Sequence, residues 1–461
     1  MENWPTTLQI NAWTGDHAAT SDLADAARKL ASDARRRPKS TGGGVLGPED
    51  VSPKDWRHEQ IGWGLILRDG ADIPEPLQEL LKTRPGAPVL RYMPGITLYL
   101  SNPAAGIDVP VSNGPTGVDK PSSLPYYLLI YGSPSDVPWE LQYFLTSKRF
   151  YVGRLDLGGE ALENYVAALI NEWSDSTADI QQAMAWSTVQ DADGITSLMR
   201  TAVGAQVVQE WQKDKNSTFH DNIVFLDGKQ AAATAAGLAG ALQDRRPALI
   251  VTTSHGRTGP LSKPLEMQER LGMLVDQTGA DVDSASLLAG WQPDGAVWYA
   301  HACCSAGCSA QTQFDEQFGE LIPPGSDVDR VLKGVAGLGS LTAPLPKALL
   351  GAKRPLRAFI GHVEPTFDLS LRDIGTGQHL TGILRTALYK EIYTHTPVGM
   401  AFASWLTSGG AFSSPYNKAL DALNQNLPDA RKLLLAYQLL NRDRSNTVIL
   451  GDPTVALPKL P

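Results

Sequence analysis

Apolar runs alternating with helical segments predict an α/β fold: a parallel sheet flanked by helices on both faces, with an N-terminal α/β lobe. Two observations carry this reading. Runs such as Ile223-Val224-Phe225-Leu226 and Ala296-Val297-Trp298-Tyr299-Ala300 are apolar throughout, as strands buried on both faces must be. Segments with apolar residues at helical spacing separate these runs, which is the order of a parallel sheet with crossover helices. No period of about 20 to 50 residues recurs, so the chain does not read as a solenoid.

The elements follow in order. Residues 1–120 read as an irregular N-terminal region. In it, residues 18 to 37 suggest a polar, Ala-rich helix ending in Arg35-Arg36-Arg37, broken by Thr41-Gly42-Gly43-Gly44. That arginine triplet reads as a solvated helix end rather than a docking site. Ile61 to Leu67 and Val89 to Leu100 look like short strands, with no legible chemistry. Residues 121–178 form a small α/β lobe: a strand from Tyr126 to Gly132, a helix from Val137 to Thr146 and another from Glu160 to Trp173. In the last, Leu162, Tyr165, Val166 and Leu169 share a face.

Residues 179–461 form the main domain. Its expected strands are Ala183 to Val189, Ile223 to Leu226, Ala248 to Thr252, Ala296 to Ala302, Leu356 to Gly361 and Thr447 to Leu450. Helices are expected over Ile195 to Trp211, Lys229 to Leu242 and Gln378 to Leu406.

Charge and composition exclude several roles. A net charge of −9 argues against a nucleic-acid partner, which favours a basic face. No apolar run approaches the roughly 18 residues a spanning helix needs, so no membrane association is expected. The first residues lack the basic and apolar regions of a signal peptide. The three cysteines crowd into one stretch and cannot staple distant parts of a fold, which suggests the reducing cytoplasm.

That stretch, His301-Ala302-Cys303-Cys304-Ser305-Ala306-Gly307-Cys308, organises the functional reading. Functional groups of an open parallel sheet gather beyond the carboxyl ends of its strands. Two strands end so, one in Ser254-His255-Gly256 and the next in Ala302-Cys303. Their chemistry is complementary. A free thiol has a pKa near ~8.5 and reacts as its thiolate, and a neighbouring imidazole can take that proton and return it to a leaving amine. Gly256 leaves room for a substrate backbone, and its N–H with that of Cys303 would form an oxyanion hole.

On these residues the chain resembles the caspase-like cysteine peptidases with a CHAT domain, relatives of gingipain, clostripain and separase. The matching pieces are Ser254-His255-Gly256, Ala302-Cys303-Cys304-Ser305-Ala306-Gly307, Phe359-Ile360-Gly361-His362-Val363-Glu364-Pro365 and the closing Gly451-Asp452-Pro453, in that order over about residues 180 to 461. The resemblance implies a caspase-like sheet, a Cys303–His255 dyad with no cofactor, and a protein substrate cut under the control of an activating signal or partner, as in bacterial stress or defence pathways. The doubled cysteine departs from the usual pattern. Cys303 keeps the Ala-Cys register and Cys304 the Cys-x-x-Gly register, so Cys304 is the alternative nucleophile. The competing function is a catalytically silent binding or scaffold module.

The remaining candidates are secondary. Cys304 would face away from Cys303 if the strand continued, and Cys308 reads as structural. Adjacent cysteines diverge, so a zinc site is not expected. His301 reads as a buried, hydrogen-bonded histidine. His362 and Glu364 would support the site, by orienting His255 or by packing beneath it. Asp191 and Asp193, on the loop after the first strand of the main sheet, would favour Lys or Arg in a substrate pocket, or simply cap the next helix. The segment from Gln311 to Arg354 reads as packed structure rather than a lid.

Overall fold

The computed structural model describes residues 7–15, 18–22, 51–112, 115–192, 194–373, 377–408, 413–427 and 430–460. Arg35 to Arg37 and Asp193 lie outside the described residues. The strands are β1 (Thr7–Trp13), β2 (Ala18–Asp22), β3 (Trp63–Arg68), β4 (Val89–Tyr92), β5 (Tyr99–Asn102), β6 (Ile107–Pro110), β7 (Tyr127–Tyr131), β8 (Tyr151–Leu155), β9 (Asp179–Ser187), β10 (Ile223–Asp227), β11 (Pro247–Thr253), β12 (Gly256–Arg257), β13 (Val297–His301), β14 (Gly307–Cys308), β15 (Leu341–Thr342), β16 (Ala358–His362) and β17 (Thr447–Gly451).

Twelve of these make one helix-flanked sheet in the order β10-β9-β11-β13-β16-β17-β8-β7-β3-β4-β5-β6. The fold class is therefore α/β with a mostly parallel sheet. β11, β13, β16 and β17 are buried at every residue, which explains their unbroken apolar character. The sheet runs without a break from the main domain through the 121–178 lobe into residues 63–110.

Two parallel blocks meet inside it. β10, β9, β11, β13 and β16 run one way. β17 pairs antiparallel with β16 and parallel with β8, and β7, β3 and β4 follow it in the second direction. The expectation of a parallel sheet thus needs correcting at β17. An apolar run reports burial on both faces and carries no information about direction.

Two other expectations change. The helix expected from residue 18 begins instead as β2, which pairs antiparallel with β1 from Thr7↔Asp22 to Trp13↔Ala18. A tertiary pairing overrides the helical composition there. The long helix from Gln378 to Leu406 is two pieces. Gly382–Thr386 continues through wider and tighter turns to Thr394, and Val398–Leu406 forms separately. Between them His395 takes a left-handed φ of 54°, and Pro397 disfavours helix at the residue before it. The segment from Gln311 to Arg354 contains the helix Asp327–Ala336, β15 and the helix Pro344–Leu350, each with buried residues.

Candidate active site

β11 and β13 are adjacent and parallel, in register from Leu249↔Val297 to Thr253↔His301. His255 and Cys303 each stand two residues beyond the last rung, so the sheet carries both to the same level of one edge. The Ser254 N–H donates to the His301 carbonyl at 3.3 Å and ties the two loops together. Gly256 then runs against the Cys303 backbone: a Cβ at Gly256 would lie 1.9 Å from the Cys303 carbonyl oxygen. Any side chain there would force the two loops apart, so this glycine is required by close approach.

The site is dry. Cys303 is fully buried and His255 is 3% exposed. Burial lowers the His255 pKa to about 4, and burial raises the Cys303 thiol well above its ordinary value. Both groups are accordingly neutral at pH 7. The thiol is held by Thr366, whose N–H donates to Sγ at 3.1 Å and whose carbonyl lies 3.8 Å from Sγ. His255 Nδ1 has no hydrogen-bond partner, and the ring packs on Trp13 with centroids 5.3 Å apart.

What dries the site is β1, a segment with no legible chemistry in the sequence. It lies between the loop after β11 and the loop after β16. On one side Ala12 pairs parallel with Gly256 and Trp13 with Arg257. On the other Ile10 bridges to Phe367 and the Asn11 N–H donates to the Thr366 carbonyl at 2.9 Å. Leu8, Ile10 and Ala12 are fully buried in one apolar cluster with all three cysteines. The main chain of Asn11 acts on both reactive groups, favouring the imidazolium of His255 and the thiolate of Cys303 against the larger effect of burial. The alternation of Leu8, Ile10 and Ala12 was the one available signal for this strand.

The other candidates fall into place around this pair. The strand stops at His301, and Cys304 takes a left-handed φ of 54° in the turn that follows. The opposite-face argument for Cys304 therefore does not apply. Its N–H donates to the Glu364 carbonyl at 3.0 Å, and its side chain is fully buried with a thiol pKa raised well above normal by burial. Cys308 sits in β14, with Sγ 3.1 Å from the Gly339 carbonyl and a pKa pushed by burial to about 12.

His301 shares a hydrogen bond of 2.8 Å with the Tyr299 hydroxyl, and its ring meets His362 edge-on at 4.5 Å. Burial lowers both histidines, His362 to about 3. His362 thus packs on His301, and the 3.2 Å contact between their ring nitrogens is its side-chain link to the Cys strand. The Glu364 carboxylate accepts from the Gln313 N–H at 3.2 Å and from the Thr312 hydroxyl at 3.4 Å, and its main chain pairs with Cys304 and Gly307. Both residues buttress the cysteine loop, and neither is brought to His255. Asp191 stands exposed on the loop after β9, at the same sheet edge. Gly451-Asp452-Pro453 is tied to the other block: Asp452 accepts from Trp63 Nε1 at 2.9 Å and lies 3.9 Å from Arg84. A cavity of about 490 Å³ also lies away from the dyad, among Trp56, Arg84, Trp173 and Arg357.

No protein-family model and no curated protein matches this chain. No helix among the described residues is long and apolar enough to cross a membrane, and no group of three or more His, Cys, Asp or Glu among them is placed to hold a metal.

Proposed function

We propose that the protein is a caspase-like cysteine endopeptidase, with Cys303 as nucleophile and His255 as general base and acid. One observation carries this: adjacent parallel strands deliver a thiol and an imidazole to one level of one sheet edge, with a glycine N–H beside them. In the reaction the Cys303 proton passes to His255 as sulfur bonds to the scissile carbonyl carbon. The resulting oxyanion takes hydrogen bonds from the N–H groups of Gly256 and Cys303, each such donor being typically worth about 3–4 kcal/mol in the transition state. The C–N bond then breaks as His255 protonates the departing amine. Water, deprotonated by His255, adds to the thioester and releases the acid and the free thiol. The resemblance implies a specific protein partner as substrate and regulated proteolysis as the setting, and the crowding of the three cysteines in one stretch fits the reducing cytoplasm.

Full burial of both groups also suits a silent binding module, so the test must separate the two. The protein is treated with a peptide bearing an electrophilic warhead, after exposure to candidate substrate proteins, and the labelled cysteine is located by mass spectrometry. Label on Cys303, lost in Cys303→Ala and shifted in its pH profile by His255→Ala, is the expected result. Label on Cys304 alone would move the nucleophile one residue along. Substrate cleavage that survives Cys303→Ala would end the assignment.

A further inference from the structure

The position of β1 has a meaning beyond burial. Parallel pairing of Ala12 with Gly256, together with the Thr258 N–H on the Trp13 carbonyl at 2.9 Å, fixes which groups face each other along this short ladder. The Arg257 N–H is committed elsewhere, to the Met273 carbonyl at 2.9 Å. Hydrogen bonds of a parallel ladder are evenly spaced, so the preceding rung joins the Gly256 N–H to the Asn11 carbonyl. That donor is the one assigned to the oxyanion hole. The carbonyl of Asn11 therefore takes the donor that a scissile carbonyl would take, and the Asn11 main chain acts on both Cys303 and His255. Its side chain is equally placed: Nδ2 donates to the His301 carbonyl at 3.2 Å, and Oδ1 is buried without a partner.

The strand shows two features of a replaceable occupant. Its ladder to the sheet edge is short, two residues on β12 and a single bridge at Phe367. Its insertion leaves polar atoms stranded around the dyad, Asn11 Oδ1, His255 Nδ1 and Thr258 Oγ1, each at a typical cost of about 1–3 kcal/mol.

We propose that Thr7–Trp13 is a tethered pseudosubstrate, exchanged on activation for an extended segment of a protein substrate that carries Asn at the position of Asn11. The inference rests on the peptidase reading and adds to it a substrate class and a form of control. A carboxamide suits the position because it reaches the His301 carbonyl without bringing charge into a dry site. Apolar side chains suit the positions of Leu8, Ile10 and Ala12, which point into the cysteine cluster. Departure of β1 would also readmit water, and the dyad could then hold its ionised pair.

The test uses the full chain. Leu8→Glu with Ile10→Glu unseats the strand, and alkylation of Cys303 by iodoacetamide is followed by peptide mass spectrometry against Cys308 as an internal control. The expected result is Cys303 alkylation at least about tenfold faster than in the wild type, with Cys308 unchanged. Equal rates at Cys303 overturn the pseudosubstrate. Should the double variant lose its cooperative urea transition, the fold has been lost, and Asn11→Gly, which removes only the side-chain anchor, replaces the double variant under the same criterion. The unseated protein is then given acetyl-Leu-Gln-Ile-X-aminomethylcoumarin with X as Asn, Asp or Lys. Hydrolysis of the Asn peptide, preferred by about 10²-fold or more, supports the substrate class. Preference for Asp or Lys overturns it. Faster alkylation without hydrolysis of any peptide overturns the peptidase reading and the substrate class together, and leaves β1 as a cover over Cys303.

Discussion

The two parallel blocks of the sheet are built alike and used differently. Each is built on parallel strands, most of them buried, and the blocks meet at the antiparallel pair β16 and β17. In the N-terminal block one fully buried charge is wholly engaged by structure. Arg154, in β8, donates to the side chain of Gln142 and to the carbonyls of Gly132 and Pro138, and lies over the Trp139 ring at 4.5 Å. In the other block His255 is equally buried, but its Nδ1 has no partner. An unpaired buried polar atom is a cost to stability rather than a support for it. The contrast is between a buried charge whose donors the fold engages and a buried imidazole whose Nδ1 it leaves unpaired beside the proposed nucleophile.

The largest expected effect breaks the symmetry between these two residues. His255→Ala should lower hydrolysis by the unseated enzyme about 10²–10⁴-fold while barely moving its unfolding midpoint in urea. Arg154→Ala should do the reverse. It strands several buried acceptors and should cost about 3 kcal/mol of stability, while Cys303 alkylation in the unseated background remains rapid. Equal losses of stability in the two variants would erase the distinction.

A smaller effect separates two glycines that serve the blocks in parallel ways. An added Cβ would meet the Cys303 carbonyl oxygen at 1.9 Å from Gly256, and the Gly451 carbonyl oxygen at 2.1 Å from Gly153. Each alanine substitution must therefore push backbone against backbone, at a typical cost of about 1–3 kcal/mol. Only Gly256→Ala should also slow acylation, because the same displacement moves the proposed oxyanion donor. Pre-steady-state bursts with the Asn peptide, set beside urea midpoints, distinguish the two.

Much of this was legible because strands buried on both faces must be apolar at every position. β7, β11, β13, β16 and β17 announce themselves in that way, whereas β10 is as apolar but lies half-buried at the sheet edge, and the placing of His255 level with Cys303 follows from where two of the buried strands end. Strand direction was not legible, so the reversal at β17 emerges only from its pairing. Nor was the turn at Cys304, where a left-handed residue stands in a sequence that reads as strand. β1 was hidden for a different reason. Its alternation spans only Leu8, Ile10 and Ala12, and apart from its hairpin partner β2 the residues that seat it at the sheet edge lie more than two hundred positions away, at Gly256 and Phe367. The long-range contacts that seat it over the two loops leave little local trace.

The smallest effect concerns pH, and it too should map to one block. Burial raises the Glu364 pKa from 4.5 to about 8, so the folded protein holds a proton there that the unfolded chain has released above 4.5. The resulting stability is fully present below 4.5 and is lost as pH rises through 8. The buried histidines act oppositely. His255 and His362 fall from 6.5 to about 4 and about 3, so their contribution is lost as pH drops below 6.5. Between pH 6.5 and 8 the raised carboxyl groups, Glu364 and Asp368, dominate, the latter raised by burial to about 7. Arg154, lowered by burial to about 10, stays charged throughout and adds no slope. Stability should thus decline across this interval, and Glu364→Gln should remove up to about 2 kcal/mol of that decline. Urea unfolding at pH 6.5, 7.2 and 8 checks it, and an unchanged slope in the variant would place the proton elsewhere in the block.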